Sequence, residues 1–155
     1  MKLMNMRHKK GSVFFLVVCA LVASVSITAL ATLNSSPGAE LPFDANTGRF
    51  YGTKGTVYVE TTIGAYAGNT MRTINGLNVS AGYLGTMAVL CDINGNIVLS
   101  SPMSTNPVPT NSISTQTNYR TVRGTYNAQG CGDFWNVGAG YYSSGISPRT
   151  PNLIY

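Results

Sequence analysis

Two carboxylates, two thiols and a short aromatic run are the residues whose types and spacing could do chemistry. Asp92 directly follows Cys91, and Asp133 stands two residues after Cys131. A bridge between the thiols would bring both acids into one neighbourhood, and two carboxylates at a suitable separation can hydrolyse a glycosidic bond. The local settings argue the other way. Asp92 precedes a tight turn and Asp133 lies beside glycines, where aspartate commonly bonds its own backbone. A structural role is therefore expected for Asp92 and Asp133, and no catalytic residue is assigned.

Other chemistries lack their parts. The single histidine is His8, in a segment expected to be removed, so Ser-His-Asp and Cys-His catalysis have no base. Zinc has too few ligands, with no CxxC spacing and no second imidazole. No metal and no cofactor is expected.

Phe134-Trp135 and Tyr141-Tyr142 are the residues that could stack on a planar-faced ligand such as a sugar. Adjacent strand residues point to opposite faces. Trp135, Val137, Ala139 and Tyr141 form the more apolar set and are read as core; Phe134 and Tyr142 then face water. With Tyr126 and Arg123 on a neighbouring strand they form the predicted binding surface, for a glycan, a cell-envelope component or another protein.

The compartment comes from the N-terminus. Lys2, Arg7, Lys9 and Lys10 lead into an apolar block, Val13 to Ala23, which closes on Ala29-Leu30-Ala31. This order is that of a secretory signal peptide, with Ala29 and Ala31 at the cleavage site. The alternative is a membrane anchor retained through the weakly polar run from Val13 to Leu33, long enough to span a bilayer; Ser24, Ser26, Thr28 and Thr32 dilute it. The membrane would then be a partner only through an uncleaved leader.

Export changes the charge argument. Ten Lys and Arg against five Asp and Glu give a formal +5, but four of the bases are in the leader. Six bases and all five acids remain from Thr32 onward, a net of about +1, too little for phosphate-dominated binding. Nucleic acid is not an expected partner. Export also leaves Cys91 and Cys131 as the only thiols, and two cysteines in a strand-rich exported domain are expected to pair. The bridge would close a loop of about 41 residues, worth on the order of 4 kcal/mol.

The elements that must carry these residues read as strands. All nine tyrosines and the one tryptophan lie after residue 50, and aromatic and β-branched residues suit a pleated, half-buried surface. Val57, Val59, Thr61 and Ile63 alternate with Thr56, Tyr58, Glu60 and Thr62, predicting a strand with the first set inward. From Leu77 to Cys91 both faces turn apolar, which predicts a strand near the sheet centre with bends at Gly82 and Gly85. Asn94-Gly95 before Ile97, Val98 and Leu99 predicts a hairpin with a type I′ turn. Ser100 to Asn111 contains Pro102, Pro107 and Pro109 and predicts a long surface crossover. Beyond it, Ile113 to Tyr126 and Phe134 to Ser143 read as strands separated by a turn at Asn127-Ala128-Gln129-Gly130.

The expected organisation is a signal peptide over 1–31, a flexible linker over 32–48 and a single domain over 49–155. About six short strands predict an all-β antiparallel sandwich, with a small β-barrel as the alternative. The expected function is that of an exported, disulfide-stapled, non-enzymatic binding or cell-envelope interaction module. Its competitors are a secreted toxin or antimicrobial protein, a glycan-active enzyme using the two aspartates, and a self-assembling surface protein.

Overall fold

Val57 and Val59 are buried while Tyr58 and Glu60 are only partly covered, so the predicted period of two is realised in the first long strand. The computed structural model describes residues 32–45, 49–136 and 140–155. The expected signal peptide, with Ala29 and Ala31, lies outside the described residues. The strands run in chain order as β1 (Leu33–Pro37), β2 (Leu41–Ala45), β3 (Arg49–Glu60), β4 (Gly64–Thr73), β5 (Leu84–Asp92), β6 (Ile97–Ser100), β7 (Ser104–Thr105), β8 (Ser112–Gln116), β9 (Thr125–Asn136), β10 (Tyr141–Ile146) and β11 (Leu153–Ile154). No helix among the described residues is long and apolar enough to cross a membrane.

Every named pairing is antiparallel, and the strands form two sheets. The first has the order β1-β3-β4-β8, with β2 also on β3; the second has the order β10-β9-β5-β6, with β11 also on β9 and β7 also on β5. The all-β prediction holds, and the sheets do not close into a barrel. They pack face to face, β3 and β4 against β9 and β5.

Two apolar clusters fill the space between the sheets. One contains Val57, Val59, Ala65, Ala67, Ala88, Leu90, Tyr126 and Ala128; the other contains Tyr51, Met71, Val79, Leu84 and Phe134. Between them lies a polar layer centred on Asn69, which is 2% exposed. Its side-chain Nδ2 donates to Thr86 Oγ1 and to the Cys131 carbonyl, each at 2.9 Å, and its Oδ1 accepts from the Thr53 hydroxyl at 3.0 Å. Gly130 is opposite: a Cβ there would collide with the Asn69 amide. A buried amide is tolerated only when its partners are supplied, and here both sheets supply them.

Where edge segments leave the sheets, one device recurs. Thr117, Ser101, Ser147 and Thr150 each donate a backbone N–H to the carbonyl of Ala67, Ala88, Gly130 and Ala128 respectively. Each then accepts that same residue's N–H on its side-chain hydroxyl, at 2.8–3.0 Å. Asn106 does this to Leu84 through its Oδ1. The hydroxyl or amide replaces the carbonyl of a regular ladder, so the chain can turn away without orphaning a buried N–H. Three of the four hydroxyl residues precede a proline, Pro102, Pro148 or Pro151, which has no N–H to offer a ladder.

Several sequence expectations are corrected. Within the span 32–48, expected to be a flexible linker, β1 and β2 pair with β3. Residues Asn127–Gly130 lie inside β9 rather than forming a turn, because Gly130 and Gly132 make room for Asn69, Thr53 and Met71. The Asn94-Gly95 hairpin forms, but not with a type I′ turn. Among the described residues no non-glycine has positive φ, so Asn94 does not, while Gly95 has φ +87°. Gly95 N–H bonds the Asp92 carbonyl and Asp92 N–H bonds the Asn96 carbonyl, which is a three-residue loop with glycine in the left-handed position. The strand foreseen over Leu77–Cys91 begins only at Leu84; Val79 makes an isolated bridge to Thr110. The strand foreseen from Ile113 ends at Gln116.

Candidate ligand-binding face

The outer face of the first sheet carries the residues that could hold a ligand. In β3, Tyr51, Thr53, Val57 and Val59 point inward, so Thr56, Tyr58 and Glu60 point outward by strand alternation. Register places Tyr58 opposite Tyr66, Thr56 opposite Gly68, and Gly68 opposite Gln116. The Tyr58 and Tyr66 rings stack with centroids 4.7 Å apart and planes within 11°. Tyr119, on the segment after β8, meets Tyr66 edge-on at 4.9 Å, and its hydroxyl donates to Glu60 Oε2 at 3.1 Å. Gly68 has a steric role: a Cβ there would lie 3.0 Å from Tyr58 Cε2, so the bare backbone lets the Tyr58 ring lean over β4.

Beside this ring opens a groove of about 380 Å³, bordered by Thr56, Tyr58, Tyr66, Gly68, Thr70 and the β8 residues Ser114, Thr115 and Gln116. That volume lies at the small end of ligand sites. No charged side chain lines it. Thr70 Oγ1 and Ser114 Oγ are 2.9 Å apart and share one hydrogen bond, which leaves the second hydroxyl proton of the pair unspent. Among the described residues, the side chains of Thr56, Tyr58, Tyr66 and Gln116 have no hydrogen-bond partner. Aromatic surface, unspent donors and acceptors, and no fixed charge thus converge on one groove.

No protein-family model, no curated protein and no solved structure matches this chain.

Two electrostatic features border the face. Burial raises the Tyr66 phenol above its usual 10.0, helped by Tyr119, Tyr58 and Glu60. Arg72 clamps Glu40 through two bonds, Nε to Oε1 at 2.7 Å and its terminal nitrogen to Oε2 at 2.8 Å. That hydrogen bonding holds the Glu40 carboxyl below its usual 4.5.

The predicted site residues end up apart. Asp92 opposes Tyr126 and Asp133 opposes Gly85 in the β5–β9 register, an offset of seven residues, or about 23 Å along the strands. The two carboxylates therefore share no cleft. Asp92 instead binds its own turn, its Oδ1 accepting from the backbone N–H of Asn94 and Asn96 and its Oδ2 from the Asn96 amide. The Asn96 bonds hold its carboxyl below the usual 3.8.

The Cys91–Cys131 bridge is not formed, and both thiols are free. Cys131 opposes Met87 while Cys91 opposes Asn127. They sit four positions apart on neighbouring strands, about 13 Å along the sheet, whereas a disulfide needs Cα atoms within about 7 Å.

The aromatic surface is inverted at Phe134 and Trp135. Phe134 is 2% exposed and stacks on Tyr51 at 4.5 Å, while Trp135 lies on the outer face against Tyr142 at 5.0 Å. The side chain of Tyr141 lies outside the described residues. Tyr126 is also core, its hydroxyl bonded to the Val122 carbonyl at 2.6 Å. Tyr142 is exposed, with its hydroxyl on the Gly82 carbonyl, and Arg123 covers the Tyr155 ring at 5.4 Å. Phe134, Tyr126, Tyr142 and Arg123 do not form one surface. Tyr58 was read as outward from its alternation, but its pairing with Tyr66 and Tyr119 was not foreseen; the signal was the short turn Thr61–Ile63, which forces residues 58 and 66 opposite one another.

Proposed function

We propose that this chain is an exported, non-enzymatic binding module acting through the tyrosine face of its first sheet. The observation that carries the reading is the groove beside Tyr58, where an aromatic stack adjoins hydroxyl and amide groups with unspent hydrogen-bonding capacity. Export rests on the basic-apolar-small order of residues 1–31. A soluble or envelope-bound ligand reached after export is the partner this arrangement fits, with the sandwich-like scaffold holding the face rigid.

The test is retention of the purified protein on washed cell envelopes from its host, compared with Tyr58→Ala and Gln116→Ala. Both residues are partly or fully exposed, so the variants are expected to keep the parent's circular dichroism and melting temperature while losing retention. Equal retention of all three folded proteins would move the binding surface elsewhere.

A further inference from the structure

We infer that the groove takes a neutral glycan chain, one sugar ring of which extends the tyrosine stack by lying against Tyr58; this rests on the binding-module reading above. One face of the Tyr58 ring is already spent on Tyr66, and Tyr66 is in turn backed by Tyr119. The stack is therefore buttressed on one side and ends at the groove on the other. Gly68, by leaving room for the Tyr58 ring over β4, sets the tilt of that ring, and a sugar placed against it would have Thr70, Ser114 and Gln116 alongside.

The polar groups match hydroxyls better than they match charge. Thr56, Thr70, Ser114 and Gln116 can each donate and accept, the pairing a sugar hydroxyl needs, since it too does both. A phosphate or carboxylate ligand would need a lining cation, and none lines the groove. Lys54 stands beyond Thr56 on the same face, opposite Thr70, and Glu60 stands at the other end, held by Tyr119. The two opposite charges flank the groove without biasing it to one sign. An apolar peptide side chain would find no aliphatic wall there, because the tyrosines are the only residues lining it with substantial apolar surface.

The experiment is affinity electrophoresis and calorimetry of the purified protein with a soluble neutral polysaccharide, hydroxyethylcellulose, and an anionic one, polygalacturonate. Parallel runs use Tyr58→Ala and Lys54→Gln. The neutral polymer should retard the protein, with an affinity that changes less than about twofold between 50 and 500 mM salt, since no counterion is released. Tyr58→Ala should weaken it about tenfold or more, the scale of one aromatic stacking contact, and Lys54→Gln should leave it unchanged. Binding confined to polygalacturonate, or abolished by Lys54→Gln or by salt, would overturn the neutral-glycan assignment while sparing the tyrosine face as a binding surface. Failure to bind either polymer, with envelope retention still lost in Tyr58→Ala, would likewise overturn only the ligand class. Neutral binding indifferent to Tyr58→Ala would overturn the site itself.

Discussion

The Asn69 side-chain amide, on β4, donates to the Thr86 hydroxyl, on β5, at 2.9 Å, so one buried hydrogen bond joins the two sheets at mid-core. The same amide also reaches Thr53 in its own sheet and the Cys131 carbonyl in the other. This side chain adds a directional tie between the two sheets, which the apolar clusters on either side do not supply.

Truncating Asn69 to alanine should therefore be expensive. The change leaves the Thr53 and Thr86 hydroxyls and the Cys131 carbonyl without their Asn69 partner, and each buried polar group left unmatched costs about 1–3 kcal/mol. A net loss of about 3 kcal/mol is expected, lowering the melting temperature by roughly 10 °C in a domain of this size. Thermal melts of the variant against the parent check it; a shift of a degree or two would mean that the layer is dispensable.

The hydroxyls at the sheet edges make an ordering that can be measured. Ser147 Oγ accepts from Gly130 N–H at 2.8 Å and from Gly55 N–H at 3.3 Å, one in each sheet. Ser101 Oγ accepts only from Ala88 N–H. Ser147→Ala orphans two buried donors and Ser101→Ala one, so urea unfolding should show the first costing about 1–2 kcal/mol more than the second. Equal losses would show that the longer Gly55 contact contributes nothing.

Much of this fold was legible because core and period coincide in it. The alternation at Val57 and Val59, and the two apolar faces around Leu84, Ala88 and Leu90, are direct readouts of burial on one or both faces of a strand. Reading failed where glycine stood at inward positions. In β9 the inward set is Tyr126, Ala128, Gly130, Gly132 and Phe134; Gly130 read as the end of a turn and cut this strand in two, so the inward parity of Tyr126 and Ala128 was not carried on and counting from Trp135 to Tyr141 misplaced Phe134 and Trp135. Those glycines are there for partners distant in sequence, Asn69, Thr53 and Met71, which no local window contains. The same limit hid the tyrosine face, since Tyr119 reaches Tyr66 from a segment with no regular pattern. The thiols misled for a related reason: spacing along the chain says nothing about their four-position offset in the sheet.

That offset predicts the redox behaviour. A reductant should leave the melting temperature unchanged, and alkylation in denaturant without reductant should modify both Cys91 and Cys131 in a peptide map. In the native protein both should react slowly, because burial pushes each thiol above its usual 9.0 and the thiolate is the reactive form. Cys131, partly exposed, should react before the fully buried Cys91. A recovered Cys91–Cys131 linked peptide would require β5 and β9 to pair in a different register.

Part of the acid limb of stability should trace to Glu40. Its carboxyl is held below 4.5 in the folded protein, chiefly by the hydrogen bonds from Arg72. A depressed folded pKa contributes stability that is fully present above the unfolded value and is lost as pH falls through the folded one. The Arg72 side chain is 50% exposed, so screening limits the pair to under about 1 kcal/mol. Glu40→Gln should therefore cost that small amount at pH 7 and nothing near pH 2, so that the two unfolding curves converge as acid is added. The tyrosines act at the other end of the scale. Hydrogen bonding to Glu60 raises the Tyr119 phenol above 10.0, and this contribution is present below pH 10 and lost as pH rises through the folded value. Tyr119→Phe removes the hydroxyl but keeps the ring edge against Tyr66, so its stability profile should be flatter than the parent's above pH 10 and parallel to it from pH 5 to 9. A parent and variant that lose stability together above pH 10 would show that the Tyr119–Glu60 bond does not hold the loop to the tyrosine face.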